Sequence, residues 1–237
     1  YDIKSGIASL TDEGVAQFTE LAGLTAKATK STTGEMTSLF ATGYGIYKGY
    51  YSELSDLEFG EMFAGGIATA VKAYKTSGSE MASAISALGG SATSANVPLE
   101  EQLSVLGMLQ ATMSGSEAAT KYKALLNAAT GAGEKLGLNF LDADKQLRSL
   151  PEILGILKSK YGDTIDAVEK KQIKEAFGSD EAVAVIDLLY GKTGELQTGI
   201  LDMYDALGGG SSAAQEMATA INATESQKYT VLKQRLH

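Results

Sequence analysis

The sequence predicts an all-α fold, a multi-helix bundle of short capped helices with room for one small β-hairpin near residues 138–149. Three observations carry that expectation. Only 2 of 237 residues are proline, alanine is abundant and β-branched runs are scarce, a composition that favours helix over strand. A Ser or Thr followed three residues later by Glu recurs at Thr32/Glu35, Ser55/Glu58, Ser77/Glu80 and Ser114/Glu117. In such pairs the hydroxyl accepts an orphan N–H of the first helical turn. Between these starts, apolar residues repeat at steps of three and four.

In chain order, a first helix is expected from Thr11 to about Thr29, with Val15, Phe18, Leu21 and Ala22 as its apolar stripe. A second covers roughly residues 34–51. The third follows Ser55 and aligns Phe59, Phe63, Ile67, Ala70 and Tyr74 on one face. The fourth spans about 78–88 and stops at Gly89-Gly90, where a left-handed cap is unstrained. Pro98 suits the first turn of an amphipathic helix that carries Leu99, Leu103, Leu106, Leu109 and Met113. A helix over 116–129 should be interrupted by Gly131, Gly133 and Gly137, and the polar tetrad 142–145 suits a hairpin turn. Pro151 opens the next helix and Gly178 closes another. Residues 182–190 are apolar on nearly every side and belong in the centre of the bundle. Leu196, Ile200, Met203 and Leu207 form one more stripe before Gly208-Gly209-Gly210.

That triple glycine divides the chain in the expected organisation: a helical body over 1–207 with a sub-boundary near 89–97, a linker at 208–210, and a C-terminal helix over 211–237 leading towards the rest of a longer protein. The last helix starts apolar at Met217 and Ile221 but meets Thr224, Glu225, Gln227 and Lys228 where core residues are due. Its second half is expected to project from the body. The chain opens on Tyr1 and ends inside a helical pattern, so it reads as an excised internal segment.

A formal charge of -9 argues against direct nucleic-acid binding, which rests on clustered Lys and Arg. With 0 cysteines, thiol chemistry and disulfides are excluded. The longest nearly apolar stretch, residues 62–71, is about half of the roughly 20 residues a spanning helix requires. No membrane-spanning segment is expected.

The stretch Val97-Pro98-Leu99-Glu100-Glu101-Gln102-Leu103, continued by Leu106-Gly107-Met108-Leu109-Gln110, resembles the core region of bacteriophage tail tape measure proteins. Residues 114–126, 136–148, 150–154 and 174–189 resemble that family in the same order, and Gly34-Glu35-Met36 and residues 41–45 extend the likeness over roughly 1–210. Lys145 departs from the pattern, standing where family members often have a turn glycine. The resemblance implies a structural virion protein of the tail lumen, present in the host cytoplasm during assembly. Such a protein sets tail length during assembly and takes part in genome ejection. The partners it implies are the tail tube, the baseplate hub and tail assembly chaperone proteins. The unfinished stripe of the C-terminal helix adds a low-copy homo-oligomer through that helix. The alternatives are a cell-wall hydrolase segment of a tail protein and a membrane-inserting helical bundle.

No catalytic, cofactor-binding or metal-binding residue is assigned, and no cofactor is expected. Gly191-Lys192-Thr193 imitates the end of a phosphate loop, but Ile186 stands where its leading glycine belongs and the run upstream reads as helix. Asp142 and Asp144 imitate the start of a calcium loop, which then fails at Gln146, Leu147 and Ile153. His237 is the only histidine, so histidine-based triads and two-histidine zinc sites lack members. Gly45 and Gly49 stand four apart, a spacing that lets two helices approach closely; Lys48 and the flanking tyrosines favour a water-soluble helix pair.

Overall fold

The computed structural model describes the backbone of residues 3–235 and the side chains of residues 3–225. The expected contacts of the last helix beyond residue 225, and His237, lie outside the described side chains. The described fold is all-α. It divides into two compact units, one made of residues 1–82 and 205–237 and the other of residues 83–204.

The first unit begins with α1 (Ile3–Gly6), α2 (Asp12–Thr29), α3 (Thr33–Tyr47) and α4 (Asp56–Tyr74). Each longer helix starts where its local chemistry asks it to. Thr11 accepts from the Gly14 N–H at 3.1 Å. Thr32/Glu35 and Ser55/Glu58 form complete reciprocal capping boxes, which satisfy donors that a helix start would otherwise leave open. α2 packs against α3 and α4. Their shared core is a chain of rings in which Phe18 meets Phe40 and Tyr44 edge-on, Phe40 meets Phe63 edge-on, and Phe63 stacks on Phe59. Phe18, Phe40, Phe59 and Phe63 are fully buried. The Tyr44 hydroxyl escapes this apolar mass by donating to Asp56 at 2.8 Å.

Small residues set the spacing here. A Cβ at Gly43 would lie 2.4 Å from the Phe63 ring. Gly45 and Gly49, the pair singled out by spacing, face open space, so the close approach occurs two residues from where the pattern placed it.

The second unit uses most of α5 (Gly78–Leu88), then α6 (Ser91–Ser94), α7 (Leu99–Leu109), α8 (Gly115–Leu136), α9 (Leu150–Tyr161), α10 (Ala167–Phe177), α11 (Asp180–Leu189) and most of α12 (Thr193–Gly208). α8 is its hub, since α6, α7, α10 and α11 all pack against it. Its buried stripe runs through Ala118, Tyr122, Leu125, Ala129, Ala132 and Leu136. Gly131 and Gly133 do not break this helix. Gly131 meets nothing within 4 Å, while Gly133 lets the Leu138 carbonyl and the Phe140 ring approach to 2.9 Å of its absent Cβ. The helix ends at Gly137, whose φ of 68° is the left-handed cap expected of a terminator.

The expected hairpin reduces to a bridged turn. Leu141 and Leu147 form an isolated antiparallel bridge, closed by Asp142 N–H to Gln146 O and Arg148 N–H to Phe140 O, both 2.8 Å. Lys145 supplies the left-handed residue of this three-residue loop at φ 61°. Phe140, 1% exposed, anchors the turn near Phe177.

α11 is buried along Ala182, Val183, Val185, Ile186 and Leu189, as its apolar sequence demands. α7 differs from its amphipathic reading. Leu99, residues 101–107 and Leu109 are all buried, so this helix is enclosed on nearly every side, with Glu101, Gln102 and Ser104 inside. Gln102 donates to Val97 O at 2.8 Å and to Thr93 Oγ1 at 3.2 Å, and Ser104 donates to Glu100 O. Buried polar side chains persist because they find such partners.

Back in the first unit, α13 (Ser212–Arg235) packs against α2 and α4. Ala214 and Ala218 are buried, whereas residues 222–225 are exposed. α12 continues through Gly208, and Gly209-Gly210 turn the chain into α13. A Cβ at Gly65 of α4 would fall 1.9 Å from the Gly210 carbonyl oxygen. That helix and the turn therefore touch backbone to backbone.

Candidate functional site

The structure disperses the motifs that imitate known sites. Gly191-Lys192 lies in a single 3-10 turn that runs into α12, with no strand before it, and Thr193 Oγ1 donates to Tyr190 O at 3.2 Å. Asp142 Oδ1 accepts from the Asp144 and Gln146 N–H groups at 2.9 Å each. That carboxylate braces its own turn. Among the described residues, no group of three or more His, Cys, Asp or Glu could hold a metal ion, and no helix is long and apolar enough to cross a membrane.

Among the described residues, two clefts of the second unit hold titratable side chains. The larger, about 400 Å³, is lined by Lys135, Leu136, Lys160, Gln172, Glu175 and Ala176. Lys160 is occupied there, donating from Nζ to the Leu136 carbonyl at 2.6 Å. It caps the negative C-terminal end of α8, the place where a cation is stabilising.

The smaller cleft, about 270 Å³, holds a buried carboxylate. It is lined by Glu101, Ser149, Pro151, Glu152, Gln197, Ile200 and Leu201. Glu101 stands in the first turn of α7 and is only 3% exposed. Its carboxylate accepts the backbone N–H of Leu150, the first residue of α9. Ser149 accepts the Glu152 N–H at 3.4 Å, so the start of α9 is capped twice, once locally and once from α7. Burial pushes the Glu101 carboxyl up to about 7; the Leu150 hydrogen bond works against that rise, and the charges of Glu100 and Glu152 add to it. Glu152 is paired in turn with Arg148 at 3.5 Å.

A carboxyl poised near neutrality beside a second carboxylate is the raw material of general acid–base chemistry. Here each is engaged, one at a helix start and one with an arginine. The arrangement ties the segment 97–110 to the segment 150–154 and gives α9 its position. Sequence reading missed Glu101 because Glu100-Glu101-Gln102 looks like the polar face of an amphipathic helix. The one local signal was a Glu two residues from each of two fully apolar stripe positions, Leu99 and Leu103.

A family model described as phage-related minor tail protein matches residues 1–178. No curated protein and no solved structure matches.

Proposed function

Because the chain belongs to the phage-related minor tail protein family, we propose that it is the helical body of a tail tape measure protein, a structural part of the virion and not an enzyme. The observation that carries this reading is the family match over residues 1–178, joined to the ordered likeness of residues 97–110, 114–126, 136–148, 150–154 and 174–189 to tape measure cores. Short capped helices suit a compact body better than an extended ruler. In this reading residues 1–207 form that body, 208–210 the joint, and 211–237 lead towards the ruler. The joint opens once Ala214 and Ala218 leave α2 and α4. The exposure of residues 222–225 supports a helix that departs from the body along its second half.

The protein would sit in the tail lumen after assembly in the host cytoplasm, against the tail tube, baseplate hub and assembly chaperones, and leave ahead of the genome. The test is genetic. In-frame deletions in the helical regions outside this chain should shorten tails in proportion, by about 1.5 Å per helical residue removed, as measured on electron micrographs. Tails of unaltered length overturn the proposal. The purified chain should also fail to clear peptidoglycan, and turnover abolished by Glu101→Gln or Glu152→Gln would favour the hydrolase alternative.

A further inference from the structure

α12 carries an apolar face that nothing within its own unit covers. Leu201 and Tyr204 are 62% and 64% exposed and stand three residues apart, hence on one side of the helix. Gln197, Ile200 and Leu201 form one wall of the 270 Å³ cleft whose other wall carries Glu101 and Glu152. The charge around it has one sign. α12 has Glu195, Asp202 and Asp205 and no Lys or Arg, and the cleft itself is lined by Glu101 and Glu152 and by no basic residue, Arg148 being paired with Glu152. An occupant of this surface must be apolar on one side and basic beside it.

The chain contains such a segment. Residues 226–237 hold three bases, Lys228, Lys233 and Arg235, and no Asp or Glu, within a chain of net charge -9. In the sequence Tyr229, Leu232 and Leu236 recur at steps of three and four, the spacing of one helical face, with Lys228 and Arg235 adjoining them. The volume of the cleft suits one such side chain, and the exposed Leu201 and Tyr204 extend the surface.

We propose that the cleft and exposed face of α12 on one copy take up residues 226–237 of a second copy. The apolar stripe of that segment lies on Ile200, Leu201 and Tyr204, and its bases face Glu152 and Asp202. The pairing is weak and salt-sensitive, because its ionic part is solvent-exposed.

Sedimentation equilibrium of the full chain across micromolar to submillimolar concentrations tests this. Self-association is expected, weakened several-fold in high salt. Two full-length variants separate the halves of the interface: Leu201→Glu spoils the cleft, and Lys228→Glu/Lys233→Glu/Arg235→Glu spoils the tail. Each should be monomeric alone, and the Leu201→Glu chain should melt as the wild type does because Leu201 is exposed. An equimolar mixture of the two should associate again, since one retains a tail and the other a cleft. A wild-type chain that stays monomeric throughout overturns the proposal. So does a Leu201→Glu chain that still self-associates, which would indicate tail-to-tail pairing, or a mixture that fails to recover.

Discussion

Replacing Glu101 with Gln removes a charge from the interior while keeping an oxygen that can accept the Leu150 N–H. The carboxyl goes from an ordinary 4.5 in the unfolded chain to about 7 in the fold. At about 1.4 kcal/mol per tenfold change in proton affinity, that difference amounts to roughly 3 kcal/mol. The direction follows from proton counting. Between pH 4.5 and 7 the folded state binds more protons at this site than the unfolded state, so its contribution to stability is fully present below pH 4.5 and is lost as the pH rises through about 7. The amide of the Glu101→Gln variant carries no such dependence. Urea unfolding of both proteins from pH 4.5 to 8.5 should therefore show a difference that grows with pH, with the variant gaining up to about 3 kcal/mol at pH 8 relative to its standing at pH 4.5. Using the difference between the two proteins cancels the titration of the other carboxylates. A variant that loses stability as pH rises would show that the charge at the start of α9 is worth more than its burial costs, and the reasoning would fail.

Other expectations follow from single positions. Leu103 and Leu106 are fully buried, so changing either to Ala should cost about 2–5 kcal/mol, seen as a lowered urea midpoint. Gly43→Val sets side-chain atoms into the Phe63 ring and should destabilise by roughly 1–3 kcal/mol through overpacking, whereas Gly45→Ala, facing open space, should be neutral or better. Lys145→Gly relieves a left-handed residue at φ 61° and should raise stability by roughly 0.5–1 kcal/mol in the same assay. Gly65→Val cannot coexist with the Gly210 carbonyl where it stands, and should expose the 208–210 turn to limited proteolysis well before wild type is cut there.

What the sequence revealed follows the range of the forces involved. Helix starts at Thr11, Thr32 and Ser55 were legible because a cap and its N–H lie within three residues of each other, and the interaction exists whatever the rest of the chain does. Asp166/Glu169 forms the same reciprocal box, and the same logic reaches it once Asp is admitted beside Ser and Thr as a cap. The four-residue helices at residues 3–6 and 91–94 are too short to show a period. Gly133 misled because glycine has two uses. At Gly137 it ends a helix through a positive φ, but at Gly133 it admits Phe140 against the helix side, and only the tertiary fold tells these apart. Glu101 was illegible for the same reason, since its partner lies 49 positions away in Leu150 and its burial comes from helices that α7 does not adjoin in sequence.

The way α13 meets its neighbours decides how firmly it is held. Its described buried positions are Ser211 just before the helix, Ala214 and Ala218, on a helix that packs against α2 and α4. Alanine has no rotamers to freeze, so docking gives up little side-chain entropy. Each methyl also returns only about 0.8 kcal/mol on burial, and the larger apolar chains of the described part of the helix, Met217 and Ile221, are only half-buried. Gain and loss are both small, which makes this a clasp that opens by rigid departure without repacking the ring core formed by Phe18, Phe40, Phe59 and Phe63. The amides of α13 should accordingly exchange with solvent at the low-protection end of the molecule, through openings that leave α2 and α4 intact.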